Sequence, residues 1–435
     1  PDSKIQTFNR KDGYVFDVTS SDQLIEAYRA LDVLDEKASA IQKRINSKIQ
    51  SAVGRNTEVC FYDVTNYWFE IGQNDEDILD EAGNVKVKGL RKKGVSKENR
   101  CNPIVQMGLF IDDNGIPISY RLFPGNSTDQ TTLIPALEKS IDKLNFEKVI
   151  IVADGGLNTG PNIAHILKRG NGYILSKSTK KSDKAVKKWI LDQSDYEWNQ
   201  SRTFKVKSQI RKRKIKDADG KTTEISEKIV SYWSKKHYDR EVRENAKFIE
   251  YLESVIQNQD KLKDKPRKIE KFLIKSQVDK ATGEILNADT HLSINMDKIQ
   301  EYVDLLGYYT IMTSETTKSD NEIISKYHGL SRIEDSFRII KTDLEGRPVY
   351  VRTAEHINAH FLLCFVALTM IRLIQHKVLG HMGKETLNEN GWESGITGER
   401  IKNALAAYQA DALPGGYYRL TKPNDDMRLI LEALG

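Results

Sequence analysis

Cysteine is nearly missing from this chain: three residues in 435, Cys60, Cys101 and Cys364, far apart and with no CxxC or Cys/His spacing. A disulfide scaffold and a structural zinc site are therefore not expected, and a reducing cytoplasm is. Proline is scarce, at ten residues, and neither a low-complexity tract nor an internal repeat is visible. With many regular apolar runs present, a disordered or collagenous chain is ruled out. No run approaches about 18 consecutive apolar residues. The best candidate, Phe361 to Ile371, stops at Arg372 and reads as a buried helix, so no membrane partner is expected. There is no signal-peptide pattern. The chain begins at Pro1, and its native N-terminus is expected to lie upstream. GxxxxGK[ST] and HExxH are both lacking, which disfavours a nucleotide-using phosphotransferase and a zinc protease.

Net charge is also small, with 67 Lys and Arg against 62 Asp and Glu. Its distribution is uneven. Between Lys177 and Lys216 there are fourteen Lys and Arg against four Asp and Glu, including Arg211-Lys212-Arg213-Lys214, interleaved with Trp189, Tyr196, Trp198 and Phe204. Cations that displace counterions, beside rings that stack, suit a nucleic-acid backbone. A solvated face of a charged domain fits the same pattern. Acidic residues gather at 74–81, read as a loop.

A length of 435 residues suggests two or three domains. Residues 21–49 have helical periodicity. Glu58 to Val64 is then a short β-rich run, and Ile104 to Ile111 and Ile116 to Leu122 are joined by Asp113-Asn114-Gly115, a hairpin signal with positive φ at the central residues. Thr131 to Leu144 is an amphipathic helix with Leu133, Leu137, Ile141 and Leu144 on one face. Val149 to Ala153 is an apolar strand ended by Asp154-Gly155-Gly156, and a helix at 162–168 and a strand at 173–175 follow. From Lys177 to about Ala288 the pattern breaks down, with Lys263 to Pro266 and turns at Asp219-Gly220 and Thr282-Gly283. Tyr308 to Met312 is a strand and Asp320 to Leu344 one long helix. The remainder is helical, with breaks near Asn388 to Gly398 and at Leu413-Pro414-Gly415-Gly416. The expected fold is α/β: a mixed sheet with flanking helices, resembling the ribonuclease-H-like order, interrupted by a β-rich insertion. The division is 1–55, a helical N-terminal segment; 56–176 with 305–345, the core; 177–304, the basic insertion; and 346–435, a helical C-terminal region.

Three carboxylates stand out. Asp63 is expected to close the first strand and Asp154 closes a later one, where ligands collect in open α/β sheets. A carboxylate ending a buried strand is costly to desolvate without a partner or metal, although each Asp alone also suits a turn. On the expected helix, Tyr327, Leu330, Glu334, Arg338 and Lys341 share one face. That stripe reads either as a solvated face with Glu334–Arg338 pairing, or as one metal ligand with phosphate contacts. Two Asp and a Glu suit a pair of Mg²⁺ ions roughly 3.5–4 Å apart, with Mn²⁺ an acceptable substitute.

These residues resemble the DDE transposases of bacterial insertion sequences, in the cut-and-paste group with a β-rich insertion. The resemblance rests on Tyr62 to Phe69, on Gly94 to Arg100 continuing to Phe123 to Asp129, on Val152 to Leu157, and on the helix from Tyr327 to Lys341. That group carries Tyr, Arg, Glu and Lys at fixed spacing on the helix. Tyr327, Glu334 and Lys341 are in register, but Leu330 occupies the Arg position, so its phosphate contacts are expected from Arg332 or Arg338.

The resemblance implies that Asp63, Asp154 and Glu334 are the catalytic metal ligands and that Tyr327 and Lys341 contact DNA. Lys97 and Arg100 are weaker DNA candidates, equally explained as loop residues. It implies terminal inverted repeats and target DNA as partners, and a homodimer assembled on them. An end-recognition region upstream of the core is expected to be absent in part. Trp189, Trp198 and Trp233 read better as structural residues than as stacking platforms for a displaced base. The alternatives are a ribonuclease-H-like nuclease without strand transfer, and a DNA-binding protein derived from a transposase.

Overall fold

The computed structural model describes residues 4–13, 23–140, 146, 148–258, 269–277, 290–383 and 395–435. The expected features at Ile141 and Leu144, at 263–266, at Thr282-Gly283 and over 388–394 lie outside the described residues.

The chain opens with helices α1 (Lys4–Asn9) and α2 (Leu24–Val53). Strands β1 (Val59–Trp68), β2 (Ile78–Leu79), β3 (Val85–Val87), β4 (Ile104–Asp112) and β5 (Pro117–Pro124) follow. Next come helix α3 (Leu133–Lys139), strand β6 (Ile150–Ala153), helix α4 (Gly160–Lys168) and strand β7 (Gly172–Lys177). The middle of the chain carries α5 (Lys184–Leu191), β8 (Glu197–Trp198), β9 (Phe204–Lys216), β10 (Thr222–Ser234) and α6 (Lys235–Gln257). It continues with β11 (Leu273–Gln277), β12 (Thr290–Ile294), α7 (Met296–Val303) and β13 (Tyr308–Thr313). Helices α8 (Asp320–His328), α9 (Ser331–Arg338) and α10 (Ala354–Met382) come after it, then α11 (Gly398–Ala407), strands β14 (Ala410–Leu413) and β15 (Tyr417–Leu420), and α12 (Asp425–Leu434).

Two compact units result. The first comprises Pro1–Leu175, Lys214–Glu224 and Asn321–Gly435; the second comprises Ser176–Arg213 and Ile225–Asp320. In the first unit the strands run β5-β4-β1-β6-β7. β1 pairs antiparallel with β4 and parallel with β6, which gives the mixed sheet expected from sequence. β1 is buried throughout except at Asp63, and β4 and β6 are buried along their whole length. Such β-branched and aromatic runs suit strands covered on both faces. α9 lies against β1 and β4, and α10 against α2 and β5. α10 has the length and composition of a membrane span, yet much of it is buried inside this unit.

In the second unit the strands run β13-β10-β9-β8. One apolar cluster joins Leu252 and Val255 of α6 to Phe272, Leu273 and Ile299, and another joins Val186, Ile190, Ile229 and Leu305. The unit therefore carries the long helix α6 and the shorter α5 and α7 as well as strands. It extends to Asp320, so β13, placed with the core by the sequence reading, belongs here.

Three local readings change. The Asp113-Asn114-Gly115 hairpin forms, but only Gly115 takes positive φ. The amide of Gly115 donates to the carbonyl of Asp112, as in a three-residue loop with glycine in the left-handed position. The single helix expected over 320–344 is instead α8, α9 and a π-turn at Ile339–Asp343. Its break falls at Gly329, where a Cβ would come 2.5 Å from the Phe61 ring, so glycine lets the chain close onto β1. The Pro414-Gly415-Gly416 break is the turn of the β14–β15 hairpin, with both glycines at positive φ.

A buried ion pair ties the β4–β5 turn to the linker after α2. The Arg55 guanidinium lies 2.9 Å from the Asp112 carboxylate, both essentially inaccessible to water, and also donates to the carbonyls of Ile116 and Pro117. The other Asp112 oxygen accepts from the amides of Asn114 and Ile116. Removing one partner leaves the other charge buried and unpaired. Arg55→Met is therefore expected to lower unfolding free energy by about 3–5 kcal/mol, with part of the loss recovered in Arg55→Met/Asp112→Asn. Urea denaturation tests this; an Arg55→Met loss below about 1 kcal/mol would contradict it.

Candidate active site

Asp63 sits in the middle of β1, and the strand continues to Trp68 instead of ending at the carboxylate, as the sequence reading had it. It is the parallel neighbour that ends there. Tyr62 pairs with Ala153, the last residue of β6, so Asp154 leaves the sheet level with Asp63. The Asp154 side chain accepts from the Gly155 amide and caps the turn Gly155–Leu157. Burial pushes the Asp63 carboxyl up to about 6; the Lys97 ammonium and a hydrogen bond from the Val64 backbone pull it down, and the nearby Asp154 and Asp129 carboxylates push it up again. The two aspartates chosen from sequence thus meet electrostatically.

Two loops frame this position. Lys97 donates to the Val64 carbonyl, one residue from Asp63. Its loop is fixed where Asn66 donates to the Val95 carbonyl and where Gly94 stacks on Gly125. A Cβ at Gly94 would fall 2.1 Å from the Gly125 carbonyl, and one at Gly125 2.1 Å from that of Ile104. Gln106 of β4 donates to the carbonyls of Gly125 and Ser127 and so holds the second loop, which leads to Asp129. Asp129 is inconspicuous in the sequence. Its signal was its place in Asn126-Ser127-Thr128-Asp129, at the start of a helical turn. Arg100 lies 3.9 Å over the ring of Trp68.

Glu334 is exposed in the first turn of α9. Among the described residues, no three His, Cys, Asp or Glu side chains come together closely enough to hold a metal ion. The other stripe residues are distributed by the helix break. Tyr327 is half-buried near the end of α8, and Leu330 is buried between the helices. Arg338 pairs with Asp335 at 2.9 Å and Asp343 at 3.0 Å, not with Glu334. Arg332 donates to the carbonyl and carboxylate of Asp113. Lys341, in the π-turn, lies 3.4 Å from Glu98, which also pairs with Arg347. Burial makes the Lys341 ammonium easier to deprotonate, an effect that Glu98 opposes.

Much of the basic stretch is internally matched. Arg211 and Arg213 both meet the buried Glu227 at 3.0 Å. Buried Lys205 faces the rings of Tyr196, Trp198 and Tyr308 at 4.6, 4.9 and 5.1 Å. Lys207 covers Trp189 at 4.8 Å, and Trp198 packs edge-on against Trp233. These tryptophans thus have structural partners. Lys212, Lys214 and Lys216 alternate with the paired arginines along β9 and are exposed. In the first unit, a Cβ at Gly160 would come 2.4 Å from the Lys216 carbonyl, so the β9–β10 turn presses on the start of α4, the helix that follows Asp154.

The transposase DDE domain family matches residues 84–370, a span that contains Asp154 and Glu334 and begins after Asp63. No curated protein matches the chain. A piggyBac transposase synaptic complex with hairpin DNA, solved by cryo-EM, is similar over 93% of this chain and 66% of that one, with 8% identity and a TM-score of 0.42.

The raised Asp63 carboxyl predicts a pH signature. The folded chain holds this proton up to about pH 6, whereas the unfolded chain releases it near 3.8. The charged form therefore costs stability above pH 6, and that cost disappears as pH falls from about 6 through 3.8. Without divalent cations, Asp63→Asn is expected to stabilise the protein at pH 8 by up to about 2–3 kcal/mol, and by progressively less down to pH 4. Denaturation in EDTA at both pH values measures this. A wild type more stable than the variant at pH 8 would contradict it.

Proposed function

The chain belongs to the transposase DDE domain family, and from that premise we propose that it cuts the ends of an insertion-sequence element and joins the freed 3′-hydroxyl to target DNA. The observation that carries this reading is the meeting of Asp63 and Asp154 at the point where β6 stops beside β1. The partners are the element's terminal inverted repeats and target DNA, with two copies of the chain assembling on them. The setting is the bacterial cytoplasm, with the protein on nucleoid DNA when bound.

The Asp63–Asp154 pair suits a divalent cation, although among the described residues no third acid is gathered with it. Asp63 is a mostly buried carboxylate whose charge is opposed by burial and by two neighbouring carboxylates, a situation that a hard cation relieves. Asp63 and Asp154 would hold Mg²⁺ or Mn²⁺, with Glu334 of α9 the third ligand. When bound, the metal pair supplies activation of water or a 3′-hydroxyl and stabilisation of the leaving oxygen. The chain's own contribution is to fix one oxygen donor on β1 and a second just past the end of its parallel neighbour β6. Lys97, beside Asp63, keeps that carboxyl more ionised than burial alone would allow. The exposed Lys212, Lys214 and Lys216 are suited to backbone phosphates, and Tyr327, Lys341, Arg100, Arg332 and Arg338 to the DNA near the cut.

Asp63→Asn, Asp154→Asn and Glu334→Gln are each expected to abolish cleavage and joining in Mg²⁺ while leaving end binding largely intact. An assay on end-bearing DNA that scores both nicked and joined products tests this. A variant that cleaves at the wild-type rate removes its residue from the site, and nicking without joined products would make the protein a nuclease.

DNA affinity should depend on salt mainly through the exposed lysines. Replacing Lys212, Lys214 and Lys216 by Gln is expected to reduce the slope of log K against log[salt] by roughly 0.9 per lost phosphate contact. Replacing Arg211 and Arg213, which are tied to Glu227, should reduce it less. Equal slopes for wild type and the triple lysine variant would leave that face merely solvated.

A further inference from the structure

The helix bearing Glu334 has little of its own to fix its direction. α9 is eight residues long, bounded by the Gly329 break and by the π-turn at Ile339–Asp343. A helix that short is marginal without tertiary support. Ile333 and Phe337 dock it on β1 and β4, and a polar grip comes from Arg372 on α10, the bulkiest of the fully buried side chains. The Arg372 guanidinium donates to the Ser336 hydroxyl at 2.7 and 3.2 Å and to the Arg332 carbonyl at 2.9 Å. It also pairs with Asp335 at 3.1 Å and donates to the Gln375 side-chain Oε1 at 2.8 Å. Gln375 in turn donates to the carbonyl of Ile396. Arg332, Asp335 and Ser336 lie on one side of α9, and at 3.6 residues per turn Glu334 lies on the opposite side. The grip thus sets the helix's rotation and leaves the carboxylate uncovered.

We infer that Arg372 is a positioning residue that holds Glu334 in place for cation binding. The inference rests on the reading of Glu334 as a ligand. Arg372 also lies beyond residue 370, where the family match ends. A stability role is a poor explanation for it. Burying a guanidinium is costly, and well-packed apolar residues in place of a buried ion pair are often neutral or stabilising. Here burial lowers the guanidinium's hold on its proton to about 10, an effect that Asp335 opposes. What an arginine supplies, and a methionine does not, is direction: several donors locking one turn of one helix.

The test titrates Mn²⁺ into the full-length chain, followed by the EPR signal of the free ion, for wild type, Arg372→Met, Ser336→Ala, Glu334→Gln and the Arg372→Met/Glu334→Gln double variant. Arg372→Met is expected to weaken Mn²⁺ binding by roughly 10–100-fold, the usual effect of losing a group that orients a ligand. Ser336→Ala, which removes the hydroxyl that Arg372 grips without emptying the core, should weaken binding by less and keeps the test valid if Arg372→Met does not fold. The double variant should bind no more weakly than Glu334→Gln alone, because Arg372 acts through Glu334. Wild-type affinity in both Arg372→Met and Ser336→Ala, with Glu334→Gln weakened, would overturn the inference and leave the site reading intact. Additive losses in the double variant would also overturn it. Unchanged affinity in Glu334→Gln would remove the site reading itself, and this inference with it.

Discussion

A carboxylate buried in a sheet is costly to ionise, and a second carboxylate at its margin adds to the cost: burial opposes the charge of Asp63, and the exposed Asp154 beside it opposes it further. This constraint organises the first unit. β1 is buried on both faces except at Asp63, and its parallel neighbour β6 ends one residue short of carrying Asp154 into the sheet. A fold optimised only for stability would not put an acid there. Lys97 offsets part of the cost from a loop that reaches Asp63 because two glycines, Gly94 and Gly125, pass within contact of each other's backbone. Charge, loop geometry and glycine placement thus follow from one unfavourable arrangement, the kind that functional sites retain.

The remaining ligand candidate needs a different solution. Glu334 is an exposed residue on a short helix, not part of a buried strand, and its direction depends on contacts from outside that helix. Gly329 brings the chain down onto Phe61, Arg332 ties α9 to the β4–β5 turn through Asp113, and Arg372 grips it from α10. The C-terminal helices are therefore part of how the site is built.

Sequence made the sheet legible because its strands are local signals: β-branched and aromatic runs, an Asp-Asn-Gly hairpin, and an apolar strand stopped at Asp154. It made both aspartates legible because an acid interrupting such a run is conspicuous. It did not reveal where the last helix breaks. Gly329 is tolerated in a helical pattern, and its reason for being glycine is a ring some 270 residues away in the chain. Nor did counting charges reveal which were already matched. Glu227 lies on the neighbouring strand, and the rings around Lys205 come from several elements. Arg372 looked like the residue that ends an apolar run; in the fold it is fully buried. Each miss involves a side chain whose partner is distant in sequence.

The central claim is that Asp63 and Asp154 form one cation site at the end of β6. Anomalous X-ray scattering from crystals grown with Mn²⁺ tests it most directly. The account predicts a peak bound by carboxylate oxygens of both residues, at about 2.1 Å for a hard cation of this size. A peak on other residues, with none between Asp63 and Asp154 at saturating Mn²⁺, would contradict it.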